Sequence, residues 1–548
     1  MENQRTILYL AFFFTLFLLY QEWQKAYGPE PIETQTEQVS GINGASSVSD
    51  AEISALPTAD IPVDSPTSNQ STPTASEENI ARQSVRVVTD VLDLLIDTQG
   101  GTIYQLDLRQ YQLSSEKMDE PFRLFSTKES AYYTAQSGLV SSSNVAPNHK
   151  DIYQAEKFEY RLEEGTNELQ VVLHWEKEGV KVNKIFTFSR DSYVINVEHI
   201  VSADNWNGSE YRQLARSYQE SQSMMIPTYV GGVVFNDDIK YEKLDFDDIA
   251  DKSFKSDMQG GWIAMIEHYF LSAWVPDQTQ NNYTYTSNPT SNRYILGMRS
   301  PAEIASTDVP AKFSSRLVVG PKLQDRLETI APGLELTVDY GILTILAKPL
   351  FWLLKFYHTM FDNWGWAIIF LTITVKAGFY WLSAKGYRSM ARMRKVAPRM
   401  ATLKERFGDD RQRMSQEMMK MYKEEKINPL GGCFPILIQI PVFIALYWVL
   451  LESVEMRNAP FALWIQNLSE QDPYFILPIL MGVTMFIQQK LNPAPIDPVQ
   501  QKVFQFMPFV FTIFFLFFPA GLVLYWVVNN TLSIIQQWII TKRIEAEK

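Results

Sequence analysis

A lysine stands near the middle of one of the most apolar stretches of this sequence. Lys376 lies within AIIFLTITVKAGFYWLSA, the run at 367–384. If this run forms one helix, the ammonium is about 13 Å from either end, farther than a lysine side chain comfortably reaches towards water. An unpaired lysine in hydrocarbon costs about 2.5–3.5 kcal/mol on insertion scales. We therefore expect Lys376 to have water, a bonding partner or a function.

Uncharged polar residues accompany this lysine at helical spacing. Thr372, Lys376 and Ser383 share one helix face, and no acidic residue lies inside any other predicted membrane helix. We predict that such faces line a hydrophilic cavity in which Lys376 stays charged. The alternative is ordinary hydrogen bonding between membrane helices. The further polar residues are Asn529, Ser533 and Gln537 in the last apolar segment and Gln439 in FPILIQIP.

The sequence lacks the patterns of common reactive centres. None of its five histidines has the spacing of a metal site, and neither a GxSxG motif nor a phosphate-binding glycine loop is present. The single cysteine, Cys433, has no histidine beside it in sequence and is predicted to be a packed side chain. We therefore predict that the protein is not an enzyme and needs no metal or cofactor. A carboxylate pair assembled by folding of the outer domain remains the open alternative.

Charge and hydropathy divide the 548 residues into parts. The mean hydropathy is −0.14, but apolar runs occupy the first twenty-odd residues and most of the chain after Tyr340. The net charge is −13, whereas 385–431 has thirteen Lys and Arg against six Asp and Glu, a local charge of +7. By the positive-inside rule this basic stretch faces the cytoplasm, and the acidic bulk lies outside.

The composition of the first 83 residues predicts a membrane anchor followed by a linker. Arg5 precedes an apolar core at 7–20, and no small-x-small cleavage site follows that core, so we predict an uncleaved signal anchor. The Pro-, Ser-, Thr- and Glu-rich segment after it has the composition of a disordered acidic linker.

Patterns of polar and apolar residues predict the structure of the rest of the chain, after residue 83. Segments such as VKVNKIFTF and SYVINVEHI alternate with period two and predict an antiparallel β-sandwich. The segment 340–362 predicts an interfacial helix, with a membrane-spanning helix as the alternative. Methionines at near-heptad spacing predict a cytoplasmic helical hairpin, in which they fill the seam. Five spans are predicted, at 364–384, 432–451, 474–489, 503–518 and 522–540.

With the anchor, the spans number six, which places both termini in the cytoplasm. Two spans of about sixteen residues also predict a locally thinned bilayer. The predicted domains are the signal anchor (1–27), the linker (28–83), the β-sandwich domain (84–339), the interfacial helix (340–362), the helical core (363–541) with its hairpin (385–427), and a short cytoplasmic tail (542–548).

Several long motifs of the C-terminal half resemble a known family. NPLGGCFPILIQIPVFIALYWVL, DPYFILPILMGVTMF and FPAGLVLYWVVNN closely resemble the bacterial insertases of the YidC/Oxa/Alb superfamily, and the preceding parts resemble its Gram-negative form. The resemblance implies a polytopic α-helical inner-membrane protein with six transmembrane helices. Five of these form an insertase core around a hydrophilic groove, and the large periplasmic β-sandwich is supersandwich-like.

The resemblance also implies roles for particular residues. Lys376 occupies a groove position where the family has arginine, so the positive charge is kept but the planar guanidinium is lost. Trp526 matches an aromatic position where tyrosine is common. The resemblance implies that Lys376, Thr372, Gln439 and Trp526 belong to the substrate groove and that Phe443 and Phe514 form the hydrophobic client path. The polar stripe adds Asn529 and Ser533 to the predicted groove.

The partners implied are nascent membrane proteins, the Sec translocon with its accessory subunits, membrane lipids, and the ribosome through the hairpin and the loop at 490–502. No specific nucleic acid is expected. Two other functions stay open: a small-solute transporter that uses Lys376 as its substrate or proton site, and a Sec-associated scaffold. The absence of an inverted repeat in the sequence argues against the transporter.

Overall fold

The computed structural model describes residues 82–546 except 115–116, 143–144, 219–227, 291, 408–409, 426–433 and 493–497. The predicted anchor, Cys433 and all but two residues of the predicted linker lie outside the described residues. The first part that is described is rich in β-strands and the second is helical. This coarse division, predicted from the sequence, is confirmed.

The β-rich part contains twenty described strands. They are β1 (Ser84–Val88), β2 (Leu92–Asp97), β3 (Thr102–Ser114), β4 (Lys117–Phe125), β5 (Tyr133–Ser141), β6 (Gln154–Ala155), β7 (Glu159–Arg161), β8 (Glu168–Lys177), β9 (Val180–Ser189), β10 (Val194–Ser202), β11 (Trp206–Arg216), β12 (Gly231–Asn236), β13 (Lys240–Leu244), β14 (Lys255–Gln259), β15 (Trp262–Ile266), β16 (Phe270–Pro276), β17 (Asn281–Thr290), β18 (Arg293–Arg299), β19 (Glu303–Ala305) and β20 (Ala311–Pro321).

These strands form two sheets. The first has the order β14-β17-β18-β11-β5-β3-β2-β1-β7, with β19 beside β11 and β4 beside β3; the second has the order β13-β12-β15-β16-β20-β10-β9-β8-β6. The described strand pairs are antiparallel except β1 with β7, which is parallel. Along β9 the burial alternates residue by residue, as the pattern VKVNKIFTF predicts. Apolar residues of both sheets, such as Leu94 and Val182, belong to one buried cluster.

A buried charged group joins the two sheets. His199 of β10 donates from Nδ1 to Glu210 Oε1 (2.8 Å), and Arg212 donates from Nε to Glu210 Oε2 (2.6 Å). All three side chains are fully buried. Burial alone raises the pKa of Glu210, but Arg212 and His199 outweigh it, so the net shift is downwards and the carboxylate stays ionised.

Ten described α-helices follow one another along the chain. They are α1 (Phe246–Asp251), α2 (Gln324–Ile330), α3 (Thr344–Phe361), α4 (Trp364–Gly378), α5 (Tyr380–Phe407), α6 (Arg411–Glu424), α7 (Phe434–Glu452), α8 (Ile476–Leu491), α9 (Pro498–Phe515) and α10 (Ala520–Ala546).

The predicted span at 364–384 is not one helix. Among the described helices, none alone combines the length and apolar composition needed to cross a membrane; α4 and the first part of α5 do so together, across a 68° bend. The break falls at Phe379, whose φ of −91° and ψ of 7° lie outside the helical region. Gly378, a weak helix former, precedes it. The prediction of one continuous helix here is wrong.

Helices α5 and α6 cover the region of the predicted hairpin, 385–427. Its first helix is the later part of α5, which runs without interruption from Tyr380 to Phe407. α6 packs back on α5 around the buried residues Val396, Met421 and Tyr422. Met393, Met400 and Met418 border this cluster, so these methionines do fill the seam between the two helices.

Helix α3 has one buried and one exposed face. Ala347 and Leu354 are buried against the helical core, whereas Ile345 and Trp352 are 86% and 68% exposed. An exposed apolar face of this kind suits the boundary between lipid and water. The interfacial position of α3 stays a prediction.

Candidate functional site

Lys376 lies in the last turn of α4, because that helix ends at Gly378. The carboxyl end of a helix carries a partial negative charge and carbonyl groups without partners inside the helix, so it favours a cation. The premise that Lys376 stands in the middle of a continuous helix is therefore wrong. The break that ends α4 supplies an electrostatic reason for the lysine.

The ammonium of Lys376 joins three helices. Its Nζ donates to Ser533 Oγ of α10 (2.7 Å) and to Gln439 Oε1 of α7 (3.2 Å). Both partners are neutral oxygens. Hydrogen bonds from a charged donor contribute about 1.5–3 kcal/mol each, more than those between neutral groups. The polar residues predicted from the sequence on three separate segments thus meet at one point.

Ser533 accepts from Lys376 through its oxygen while its own hydrogen is donated elsewhere. Its hydroxyl donates to the carbonyl of Asn529, one turn earlier in α10 (2.7 Å). This bond from a serine to the carbonyl four residues back is common inside helices. This bond leaves the lone pairs of Ser533 free to face Lys376. It also explains the four-residue spacing of Asn529 and Ser533, because the bond joins residues one helical turn apart.

A small cavity of about 20 Å³, room for about one water molecule, lies beside the ammonium. Its walls come from four helices and the break, and they combine polar with apolar groups. The lining residues are Val375, Lys376, Phe379, Leu382, Ser383, Gln439, Val442 and Asn529. Such a mixture lets the cavity offer hydrogen bonds on one wall and apolar contact on another.

Thr372 is one of the predicted groove residues that lie outside the cavity. It is buried, and its hydroxyl donates to the carbonyl of Ile368 in its own helix (2.6 Å). It does not line the cavity beside Lys376. Helical periodicity placed Thr372 on the same helix face as Lys376. Its hydroxyl, however, is already bonded to the backbone of its own helix.

The predicted aromatic residues lie apart from the Lys376 cavity. The ring of Trp526 packs edge to face on Phe443 (4.6 Å between centroids) and 5.6 Å from Phe515. Its buried indole N–H finds no hydrogen-bond partner among the described residues. Phe514 is half exposed on α9. The structure therefore separates a polar cavity from an aromatic cluster that borders the helical core.

Two polar residues that support the site were missed by the sequence analysis. Gln536 donates from Nε2 to the carbonyl of Tyr380, at the start of α5 (3.3 Å), and Asn530 donates to Thr484 Oγ1 of α8 (3.5 Å). Each is next to a stripe position of α10, since Asn530 follows Asn529 and Gln536 precedes Gln537. A search of the adjacent face of α10 would have found them. Gln537, on the predicted stripe, donates instead to the carbonyl of Leu491 (3.1 Å).

Comparison with known proteins matches the chain along almost its whole described length. Residues 84–353 match the family model described as the YidC periplasmic domain, and residues 356–547 match that of the 60Kd inner membrane protein. The chain is similar to proteins named membrane protein insertase YidC from Thioalkalivibrio sulfidiphilus (52% identity), Methylococcus capsulatus (49%) and Nitrosococcus oceani (47%). The first two alignments cover 100% of this chain and 99% of the relative, and the third covers 100% of both.

Proposed function

This chain belongs to the YidC family of membrane protein insertases, as its motifs predicted, and we propose that it inserts its clients by way of the Lys376 cavity. The single observation that supports this route most strongly is the convergence on one ammonium of polar groups from α7 and α10, beside a cavity in an otherwise apolar core. A cation held by neutral partners keeps part of its electrostatic attraction for a further, anionic or polar group.

The proposed mechanism lowers the cost of moving a short polar segment across the bilayer. A backbone or side-chain polar group in hydrocarbon costs several kcal/mol when it has no partner. Lys376 and Gln439 offer partners part-way across, and Lys376 attracts acidic residues of the client. The apolar helix of the client then leaves past aromatic residues such as Phe443 and Phe514 into lipid. Its burial there drives the reaction, so nucleotide hydrolysis is not required.

The family places the protein in the inner membrane with a periplasmic domain. We propose six membrane spans, made by the anchor at 1–27, the bent pair α4–α5, and α7 to α10. The β-rich domain and the loop after α7 then face the periplasm, while both termini and the basic hairpin face the cytoplasm. The domain boundaries given above are part of this proposal, and so is the packing of the two sheets as a supersandwich.

Membrane protein clients follow from membership of the insertase family. We propose further that the Sec translocon and its accessory subunits assist with some clients. The ribosome is proposed to bind at the hairpin and at the loop at 490–502, and anionic lipid at the same basic surface. Exposed cations such as Arg392 and Arg394 on α5 support an anionic partner there.

The proposal is tested by removing the charge and keeping the side-chain length. We expect Lys376→Met to reduce insertion of a client with an acidic translocated segment at least about tenfold in proteoliposomes, and Lys376→Arg to retain most of it. The matched control is Lys385→Met, which removes an exposed lysine nine residues further on.

If Lys376→Met inserts such clients at the wild-type rate while folded, the charge has no role. If insertion stays normal but Sec-dependent secretion fails, the scaffold function is favoured.

A further inference from the structure

The loop after α7, residues 453–475, joins that helix to α8. It begins with a 3₁₀ turn, Val454–Met456. Val454 is buried in the apolar cluster formed by the strands, whereas Met456 is buried in the cluster formed by the helices. Leu468, further along, is also buried in the helical cluster. The turn therefore lies between the two cores, and the loop continues from there along the helical part.

The loop packs on the first residues of two helices. Asn363, the N-cap of α4, donates from Nδ2 to the carbonyl of Phe461 (2.9 Å). The backbone N–H of Gly521, in the first turn of α10, donates to the carbonyl of Leu468 (2.9 Å). N–H groups in the first turn of a helix have no partner inside the helix, so the loop supplies one. The loop is thereby fixed at the ends of α4 and α10 that face the periplasm in the topology proposed above.

Two bulky apolar residues of this loop have an unusual backbone conformation. Leu463 has a φ of 57°, and Phe475, which directly precedes α8, has a φ of 55°. Positive φ is strained for residues with large side chains, and it persists only where surrounding contacts fix the backbone. The side chain of Leu463 is nevertheless 81% exposed. Burial within the protein does not offset this strain, since most of the side chain is accessible to the surroundings.

Asp472 fixes both segments that carry these residues. Its buried carboxylate accepts the indole N–H of Trp464 at Oδ1 (2.9 Å) and the backbone N–H of Leu477 at Oδ2 (2.7 Å). Trp464 directly follows Leu463, and Leu477 lies in the first turn of α8, just after Phe475. One carboxylate therefore links the segment of Leu463 to the start of α8 and holds both in place.

The exposed apolar surface continues onto the neighbouring helix ends. Trp366, in the first turn of α4, is half exposed, and its ring packs edge to face on Phe461 (5.8 Å between centroids). Tyr474 is mostly exposed and precedes Phe475. We call this surface the apolar rim, and it comprises Trp366, Leu463, Tyr474 and Phe475.

The chemistry of the apolar rim fits a lipid surface. Tryptophan and tyrosine are enriched where membrane proteins meet the lipid headgroups. No charged residue occurs between Arg457 and Glu470, so the tip of the loop carries no charge that would resist burial at the edge of the hydrocarbon.

The rim is also continuous with helix faces that meet lipid in the proposed topology. Trp366 and the exposed Ile373 are seven residues apart on one face of α4. The exposed Ile479 of α8 follows Phe475 by one helical turn. A single exposed leucine is ordinary on a protein surface, whereas an apolar patch joined to such helix faces marks an interaction site.

We propose that the apolar rim is a membrane-binding surface, in which Leu463 inserts into the periplasmic leaflet at the boundary between headgroups and acyl chains. Insertion removes this leucine from water and thereby offsets the strain of its backbone. Because the loop is bonded to the first residues of α4 and α10, it sets how deep these helix ends stand in the bilayer. The proposal rests on the topology above but not on the route of the client, so its test measures depth in the bilayer.

The first test measures contact with lipid in the full chain. Leu463→Cys, in a Cys433→Ser background, is labelled with a nitrobenzoxadiazole fluorophore and reconstituted into vesicles of phosphatidylethanolamine and phosphatidylglycerol. Lipids that carry a spin label near the top of the acyl chain quench a fluorophore at this boundary. We expect at least about twofold quenching at position 463, similar to that of Ile479→Cys on α8. The control Glu164→Cys, at an exposed position of the β-rich domain, should show none.

The second test leaves residue 463 unlabelled, because a fluorophore can enter a bilayer by itself. The fluorophore is attached to Tyr474→Cys, and quenching is compared in the presence of Leu463, Leu463→Asn and Leu463→Met. Asparagine tolerates positive φ, so Leu463→Asn removes the apolar side chain and keeps the backbone conformation. We expect Leu463→Asn to lose at least about half of the quenching at position 474, and the matched control Leu463→Met to retain it.

The outcomes separate the apolar rim from the topology. Quenching at position 479 without quenching at 463 would overturn the membrane-binding surface and leave the topology intact, whereas no quenching at either would overturn both. Equal quenching at 474 with Leu463 and with Leu463→Asn would show that this leucine does not hold the rim in the bilayer. Fluorescence that changes with the protein-to-lipid ratio but not with spin-labelled lipid would identify a second copy of the chain on the rim, which also overturns the proposal.

Discussion

At the scale of single residues, the protein keeps a lysine among apolar helices by ending a helix beside it. Lys376 has the negative end of α4 and two neutral oxygens as its surroundings. Helical periodicity was enough to predict that Gln439, Asn529 and Ser533 belong with it. It was not enough to exclude Thr372, since a hydroxyl bonded to its own backbone leaves no trace in the sequence pattern.

Glu455 leads to a prediction about pH. It lies in the turn between the two cores, where burial raises the pKa of its carboxyl to about 7; Lys355 opposes this shift and Asp325 adds to it. The folded protein therefore binds a proton that the unfolded chain releases at lower pH, and stability falls as the pH rises through about 7. We expect Glu455→Gln to raise the melting temperature of the purified protein at pH 8 and to have little effect at pH 5.

The control for this prediction is Glu164→Gln, at an exposed position of the β-rich domain. It should leave the melting temperature unchanged at both pH values. An equal gain in Glu455→Gln at pH 5 and pH 8 would show that ionisation of Glu455 does not limit stability.

At the scale of elements, the bend between α4 and α5 was hidden from the sequence. Hydropathy continues without a gap through Phe379 and Tyr380, and no proline marks the place. Only Gly378 weakens the helix there, and a single glycine is often tolerated inside helices. The bond from Gln536 to the carbonyl of Tyr380 comes from a helix 156 residues away. The break thus depends on tertiary contacts that a pattern along one segment does not contain.

The close approach of α8 and α9 gives a prediction about packing. A Cβ added at Gly482 would overlap Thr512 Oγ1, whose hydroxyl donates to the carbonyl of Pro508 (2.7 Å). Threonine is stiff in a helix and has little freedom to turn away. We expect Gly482→Ala to lower the free energy of unfolding by about 1–3 kcal/mol, measured by thermal unfolding in detergent.

The matched control for this packing prediction is Gly378→Ala. A Cβ at Gly378 would meet nothing within 4 Å, so this variant should be as stable as the wild type or slightly more so. Equal stability of the Gly482→Ala and Gly378→Ala variants would contradict the tight packing of α8 on α9.

At the scale of the whole molecule, the sequence predicted the parts better than their connections. Alternation in segments such as β9 and the apolar runs after Tyr340 depend on local spacing, so the β-rich and helical parts could be predicted. The charged contacts join residues far apart in the chain: Lys322 and Glu452 are 130 residues apart, and Lys376 and Ser533 are 157 apart. Polar residues in apolar segments were enough to group Ser533 with Lys376, but one sequence contains no signal that pairs Lys322 with Glu452.

The central claim is that client proteins pass the Lys376 cavity, and site-specific photocrosslinking tests it most directly. A photoreactive residue would replace Val442, which lines the cavity without bonding to Lys376, and ribosome-bound nascent chains of a short membrane protein would be presented in native membranes. The control probe would replace Ile345 on the exposed face of α3. We predict crosslinks from position 442 that begin when the first apolar helix of the client leaves the ribosome, and none from position 345. Absence of crosslinks from 442 at every chain length, with the protein intact, would contradict this route.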